Sequence, residues 1–304
     1  MTEDWRLLRE GVKGSGKAYS QDRHLAFLAE AGRCAVLAVA DGHGSAAHFR
    51  SDLGARWATE EFAACARYLT DRLGETAGAP ERTDATGAPE RAAAAGGGRA
   101  PGPALPRLHA LARDLPRQLV HGWRGRVALH EANSPAHGRP DEPPPFDVYG
   151  STLLGAVVTP ELLVCWQLGD GDITLVEADG TVRTPLYTGP DLGDETESLC
   201  LPEAWRRART HWRPLTGGPP PAVLLSTDGL SKSFADHAGF LGFVRGVRER
   251  AETEGTELVQ GKLADWLGHA ATHSGDDTTL VAALPVARPG SDSGARPLTR
   301  GTTR

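Results

Sequence analysis

An uninterrupted apolar run, Cys34-Ala35-Val36-Leu37-Ala38-Val39-Ala40, ends directly on Asp41-Gly42-His43-Gly44. The theme recurs twice: Ala222–Ser226 leads into Asp228-Gly229, and Asp276-Asp277 opens the run Thr278–Leu284. Runs of this kind read as strands buried within a fold. Carboxylates at strand ends converge on one edge of a sheet. Converging carboxylates suit a hard divalent cation, because Mg2+ and Mn2+ take oxygen ligands.

The pattern around these runs sets the fold class. His24–Ala31 and Cys34–Ala40, joined at Gly32-Arg33, read as an antiparallel hairpin. Ser45–Leu73 has helical spacing through Phe49, Leu53, Trp57, Phe62, Cys65 and Leu69, with Ser45 as its cap. A second helical stretch is expected over 107–132, kinked or restarted at Pro116 with Asp114 as a cap. Between them, residues 75–106 carry no core-forming pattern and are expected to form a disordered low-complexity insert. Residues 133–146 form another loop. From Tyr149 onward Ser151–Thr159, Leu162–Leu168, Ile173–Val176 and Thr181–Thr184 read as an antiparallel meander, with Asp170-Gly171-Asp172 as a hairpin turn. Residues 237–270 are helical in pattern, and 289–304 are expected to form a disordered tail. This order is α+β, without the regular alternation of a doubly wound sheet. One domain over residues 1–288 is expected.

Composition narrows the function. The 304 residues carry a net charge of −6, so no nucleic-acid footprint is present. Only four of the basic residues are lysines, Lys13, Lys17, Lys232 and Lys262. Cys34, Cys65, Cys165 and Cys200 show no paired spacing and read as buried reduced thiols. The N-terminal MTEDWRLLREG lacks the apolar core of a signal peptide, and no apolar run nears the ~18–20 residues that span a bilayer. A cytoplasmic protein with no membrane partner is expected.

Each acidic cluster admits a chemical role. Asp41, leaving a strand, can bridge two ions, and Gly42 lets the backbone turn so that its carbonyl also coordinates. His43 lies within reach of a substrate on those ions as a general acid. An Asp-Gly pair is equally a strand-ending turn. Upstream, Asp22 can reach a second ion and Lys17 can clamp a phosphate, although the segment alone reads as a solvated loop. Asp170 is a candidate outer ligand.

These motifs, in this order, resemble the PPM/PP2C family of metal-dependent protein Ser/Thr phosphatases, of bacterial type. Ser20-Gln21-Asp22 looks like the family's first motif, and Asp41-Gly42-His43-Gly44 matches its DGHG. Gly150-Ser151-Thr152, Leu168-Gly169-Asp170 and Ser226-Thr227-Asp228-Gly229-Leu230 match its GST strand, GD turn and SDGL motif. Asp276-Asp277-Thr278-Thr279 looks like its DNxT signature. The likeness runs from about Gly11 to Leu284, the 75–106 insert excepted.

The resemblance implies two packed antiparallel β-sheets flanked by helices, an α/β/β/α sandwich. It implies a first metal on Asp41, Asp228 and Asp276, and a second on Asp22, Asp41 and the Gly42 carbonyl. The ions would be Mn2+ or Mg2+, with Asp170 at a weaker third site. His43 would protonate the leaving oxygen, and Asp194-Glu195-Thr196 would lie in a variable flap over residues 185–200. Four departures stand out: Lys17 in place of an Arg, Gln21 in place of a Glu, Lys232 in place of an acid, and Asp277 in place of an Asn.

The implied activity is hydrolysis of phosphoserine or phosphothreonine in a phosphoprotein by direct attack of a metal-activated water. A cognate Ser/Thr kinase is an expected partner, and a monomer the expected state. Two other readings fit fewer residues. Asp170-Gly171-Asp172-Ile173-Thr174 also resembles the DxDxT of haloacid-dehalogenase-type phosphatases, where Asp170 would be a nucleophile. The departures also allow a catalytically silent family member that acts as a sensing or binding module.

Overall fold

The computed structural model describes residues 4–77, 104–136, 144–189, 197–215 and 218–286. Within them the chain begins β1 (Trp5–Val12), β2 (Arg23–Ala29), β3 (Cys34–Ala40), α1 (Ser51–Ala77) and α2 (Ala104–Asn133). It continues β4 (Leu153–Val158), β5 (Leu162–Leu168), β6 (Asp172–Val176), β7 (Val182–Arg183) and β8 (Arg209–Pro214). It closes with β9 (Ala222–Ser226), α3 (Asp228–Ser231), α4 (His237–Glu254), α5 (Thr256–Ser274) and β10 (Thr278–Pro285).

The strands form two five-stranded sheets, ordered β1-β10-β9-β6-β7 and β2-β3-β4-β5-β8, with every pair antiparallel. The apolar run Cys34–Ala40 is wholly buried because it has a layer on each face. Ala35, Leu37 and Val39 point into the space between the sheets, against Ile173, Leu175, Val223, Leu225 and Val281. Val36, Ala38 and Ala40 point the other way, against Phe62, Leu115 and Trp123 of α1 and α2. On the second sheet Leu224, Leu280 and Ala282 pack beneath Phe240, Val244, Leu263 and Leu267 of α4 and α5. Three apolar layers therefore separate four structural layers, as expected for an α/β/β/α sandwich.

Several local expectations are corrected. Asp170-Gly171-Asp172 is not a hairpin turn: β5 and β6 lie in different sheets, and the chain crosses between them there. The helix does not restart at Pro116, which lies inside α2. A proline leaves the carbonyl four residues earlier without its helical partner; here Ala112 O accepts from the Trp166 indole at 2.8 Å instead. Asp114 is interior to that helix rather than a cap. Ser45 precedes a single 3-10 turn, Ala46–His48, without a side-chain cap bond, and α1 starts only at Ser51. Gly255, at φ 98°, splits the expected 237–270 helix into α4 and α5. Helices run into both ends of the expected 75–106 insert, since α1 reaches Ala77 and α2 starts at Ala104. The rest of that insert, the 289–304 tail and Asp194-Glu195-Thr196 lie outside the described residues.

Candidate metal centre

Strand register brings the acids together. Arg23 pairs with Ala40, so β2 starts where β3 ends and Asp22 lies beside Asp41. Leu280 pairs with Ser226, and Thr227 N donates to Thr279 O at 3.1 Å, so Asp228 lies beside Asp276 and Asp277. The two pairs belong to different sheets, and packing sets them face to face. Asp22 ties them: its Oδ2 accepts from Thr227 Oγ1 at 2.8 Å and from Thr279 Oγ1 at 2.7 Å. Asp41 feels the charges of Asp22, Asp228 and Asp276 together. Asp170, at the crossing between sheets, interacts with Asp228.

Two glycines permit this closeness. A Cβ on Gly42 would stand 2.8 Å from Ser51 O and 3.0 Å from Gln21 O. A Cβ on Gly229 would stand 2.0 Å from Asp277 O. Any side chain at either position forces these backbones apart.

The acids resist ionisation without a cation. Burial pushes the Asp22 carboxyl up to about 7 against the help of its two threonine hydrogen bonds. Burial and then the Asp22, Asp228 and Asp276 charges hold Asp41 well above the usual carboxylate range. Burial and Asp228 push Asp170 up to about 6. Burial beside His48 depresses His43 to about 4; the two rings lie 4.8 Å apart. His43 N donates to Gly150 O at 3.1 Å, which fixes the turn after Asp41.

Both site lysines are engaged. The Lys17 ammonium pairs with Asp276 and stands 3.4 Å from Asp277 Oδ2. Burial alone would lower it, but those carboxylates raise it. Lys232, in the turn after α3, places its ammonium on Asp228 Oδ2. Among the described residues no three His, Cys, Asp or Glu side chains form a ready metal-holding group. The donor set still fits a hard cation. Asp22 Oδ1, Asp228 Oδ1 and Asp172 Oδ2 are buried with no hydrogen-bond partner, and such oxygens are costly unless something positive meets them.

The profile of the family described as protein phosphatase 2C matches residues 15–268. The chain belongs to the protein phosphatase 2C family. It is accordingly a protein serine/threonine phosphatase by family. Solved structures share the fold. PppA, a key regulatory component of T6SS in Pseudomonas aeruginosa, superposes at TM-score 0.54 and 17% identity, covering 93% of this chain and 98% of that one. Serine/threonine phosphatase Stp1 from Staphylococcus aureus superposes at TM-score 0.51 and 16% identity, covering 94% and 96%. The catalytic domain of PstP, in complex with two manganese ions, superposes at TM-score 0.52 and 17% identity, covering 93% and 99%. A search of curated proteins gave no match.

This phosphatase domain holds further polar groups near the acids, whose partners the sequence does not show. Asp277 is buried, and its carboxylate accepts from Gly14 N at 2.8 Å and from Gln21 N at 2.7 Å. It thus anchors the loop from β1 to β2. Gln21 in turn donates to His43 O at 2.9 Å and to Ser51 Oγ at 2.6 Å. Asp172 is buried at the start of β6, and burial raises its carboxyl. The sequence pattern puts it in a turn, whereas it opens β6. After Asp170 the chain runs strand, turn and strand, without the strand-to-helix crossover that a nucleophilic DxDxT motif requires.

Proposed function

We propose that this domain is a metal-dependent phosphatase of phosphoserine and phosphothreonine in proteins, with its chemistry at the Asp22, Asp41, Asp228 and Asp276 cluster. The observation that carries this reading is the meeting of acids from both sheets, with buried oxygens of Asp22 and Asp228 left unpartnered. In this reading Asp41, Asp228 and Asp276 would hold one ion, and Asp22, Asp41 and the Gly42 carbonyl a second. The set is all oxygen, which suits Mn2+ or Mg2+. Two such ions, when bound, activate a water and neutralise phosphate oxygens.

The protein's own residues do the rest. Asp41 interacts with Asp22 of its own sheet and with Asp228 and Asp276 of the other, so it would serve both ions. Lys17 sits on Asp276; release from that acid would let its ammonium meet a substrate phosphate as a point charge. His43 donates a proton to the departing serine or threonine oxygen. Burial and His48 hold His43 down to about 4; in this reading the negative charge of an arriving phosphate raises it, so that His43 takes a proton from solvent and the resulting imidazolium is the donor. The phosphoprotein substrate implies a Ser/Thr kinase that supplies it.

The test is hydrolysis of a phosphoserine peptide and of p-nitrophenyl phosphate with added Mn2+, with chelator, and with Asp41→Asn and Asp228→Asn. The expected result is activity that needs Mn2+ and is lost in both variants. Activity that survives chelation, or an Asp41→Asn protein as active as the parent, overturns the reading.

A further inference from the structure

We propose that Lys232 is a tethered cation that occupies the Asp228–Asp170 side of the acid cluster and keeps a divalent ion out of it. This inference rests on the metal reading above.

The geometry has three parts. Asp228 is buried, and its two carboxylate oxygens have different fates. Oδ2 receives the Lys232 ammonium, while Oδ1 is buried and unpartnered. Asp228 therefore offers one oxygen, not two, to an ion. Second, Lys232 and Asp228 are four residues apart across the single turn of α3, and Lys232 N also donates to Asp228 O at 2.9 Å. The pair is held by its own backbone, so the ammonium stays at hand whatever the surroundings do. Third, the same ammonium feels Asp170 and Asp276 as well as Asp228. It faces the acids of the β5–β6 crossing and those of the β10 start together.

Its chemistry explains its effect. An exposed ion pair contributes little because water screens it. Here the stem of Lys232 is exposed, yet the carboxylate it meets is only 9% exposed. A buried carboxylate stripped of its partner is costly. An ammonium brings one charge on a flexible stem and needs no dehydrated coordination shell, whereas a divalent ion needs several oxygens at once. Lys232 supplies the charge without recruiting those ligands. The same tether supports the metal-free fold, because it offsets repulsion among acids that would otherwise face one another.

The test compares the full chain with Lys232→Gln and Lys232→Arg in Mn2+ binding by native mass spectrometry and equilibrium dialysis, with thermal melting in chelator. The expected result is that Lys232→Gln takes up one Mn2+ more per chain than the parent and melts lower without metal. Lys232→Arg should keep the parent's count and melting point. An equal Mn2+ count in the parent and in Lys232→Gln overturns the inference and leaves the phosphatase reading intact. A parent chain that binds no Mn2+ overturns both. Should Lys232→Gln fail to fold, Lys232→Arg and Lys232→Met carry the same comparison.

Discussion

Asp22 and Thr279 are 257 residues apart in the chain, yet the threonine hydroxyl donates to the carboxylate at 2.7 Å. That bond joins the start of a strand in one sheet to a strand in the other. It also fixes a buried acid whose second oxygen has no partner.

The pH response of the metal-free protein follows from that acid. Its carboxyl ordinarily titrates near 3.8, and burial pushes it up to about 7. Between those values the folded chain keeps a proton that the unfolded chain has released. Stability therefore falls as pH rises across this window and is level above it. Asp22 alone should contribute on the order of 4 kcal/mol to the fall over the whole window, about 3 of it between pH 5 and pH 8. Thermal melts in chelator at pH 5 and pH 8 should show the drop, and Asp22→Asn should shrink it. Mn2+ should counter it, since ions bind the deprotonated acid. A variant whose melts depend on pH as steeply as the parent's would clear Asp22 of this role.

His43 should matter in proportion to the leaving group. His43→Ala should cost roughly 10²–10⁴ in rate on a phosphoserine peptide, the usual size of a general-acid effect, and much less on p-nitrophenyl phosphate. Equal losses on both would remove His43 from the acid role. Its neighbour gives a second readout. The His48 ring helps hold His43 down to about 4, so His48→Ala should raise the His43 titration seen by proton NMR in the metal-free protein.

Much of this arrangement is legible in the sequence, for a physical reason. A strand buried on both faces has to be apolar throughout, so Cys34–Ala40 and Ala222–Ser226 stand out, and acids at their ends are conspicuous. The edge strand β1 was not, because only Trp5 and Leu8 of WRLLREGV are fully buried. The β8 edge escaped for the same reason: none of its residues is buried. The crossing at Asp170 looked like a hairpin because local spacing does not say which sheet the next strand joins. A restart at Pro116 was expected because the compensation comes from Trp166, 50 residues away in sequence. The engagement of Lys17 and Lys232 depends on side-chain geometry that no spacing encodes.

Glycine substitutions should separate the site's crowding from ordinary helix effects. Gly229→Ala places a methyl group 2.0 Å from Asp277 O, and backbone must move to admit it. A loss of about 1–3 kcal/mol or more is expected. Gly125→Ala is the control. Gly125 is exposed in α2, and a Cβ there meets nothing within 4 Å. That change should stabilise by roughly 0.5–1 kcal/mol. Urea midpoints measure both, and a harmless Gly229→Ala would refute the tight approach of α3 to the β10 start.

Asp277 should prove to be the anchor of the loop that carries Lys17 and Gln21. Its two oxygens accept from separate backbone amides, Gly14 N on Oδ1 and Gln21 N on Oδ2. An asparagine offers one oxygen and a donor, so Asp277→Asn must leave one of those amides facing an NH2 group. An unsatisfied buried donor costs about 1–3 kcal/mol. The variant should therefore melt lower, and hydrogen exchange at the Gly14 or Gln21 amide should quicken while amides in the middle of β3 stay protected. Asp277→Ala strips both acceptors and should speed exchange at both positions. Either variant also removes the 3.4 Å Lys17–Asp277 pair, while Lys17 keeps Asp276 as a partner; Lys17→Gln, which loses the pair but leaves both acceptors, is the control and should leave exchange at Gly14 and Gln21 slow. Unchanged exchange at Gly14 and Gln21 in Asp277→Ala would show that the loop is held by something else.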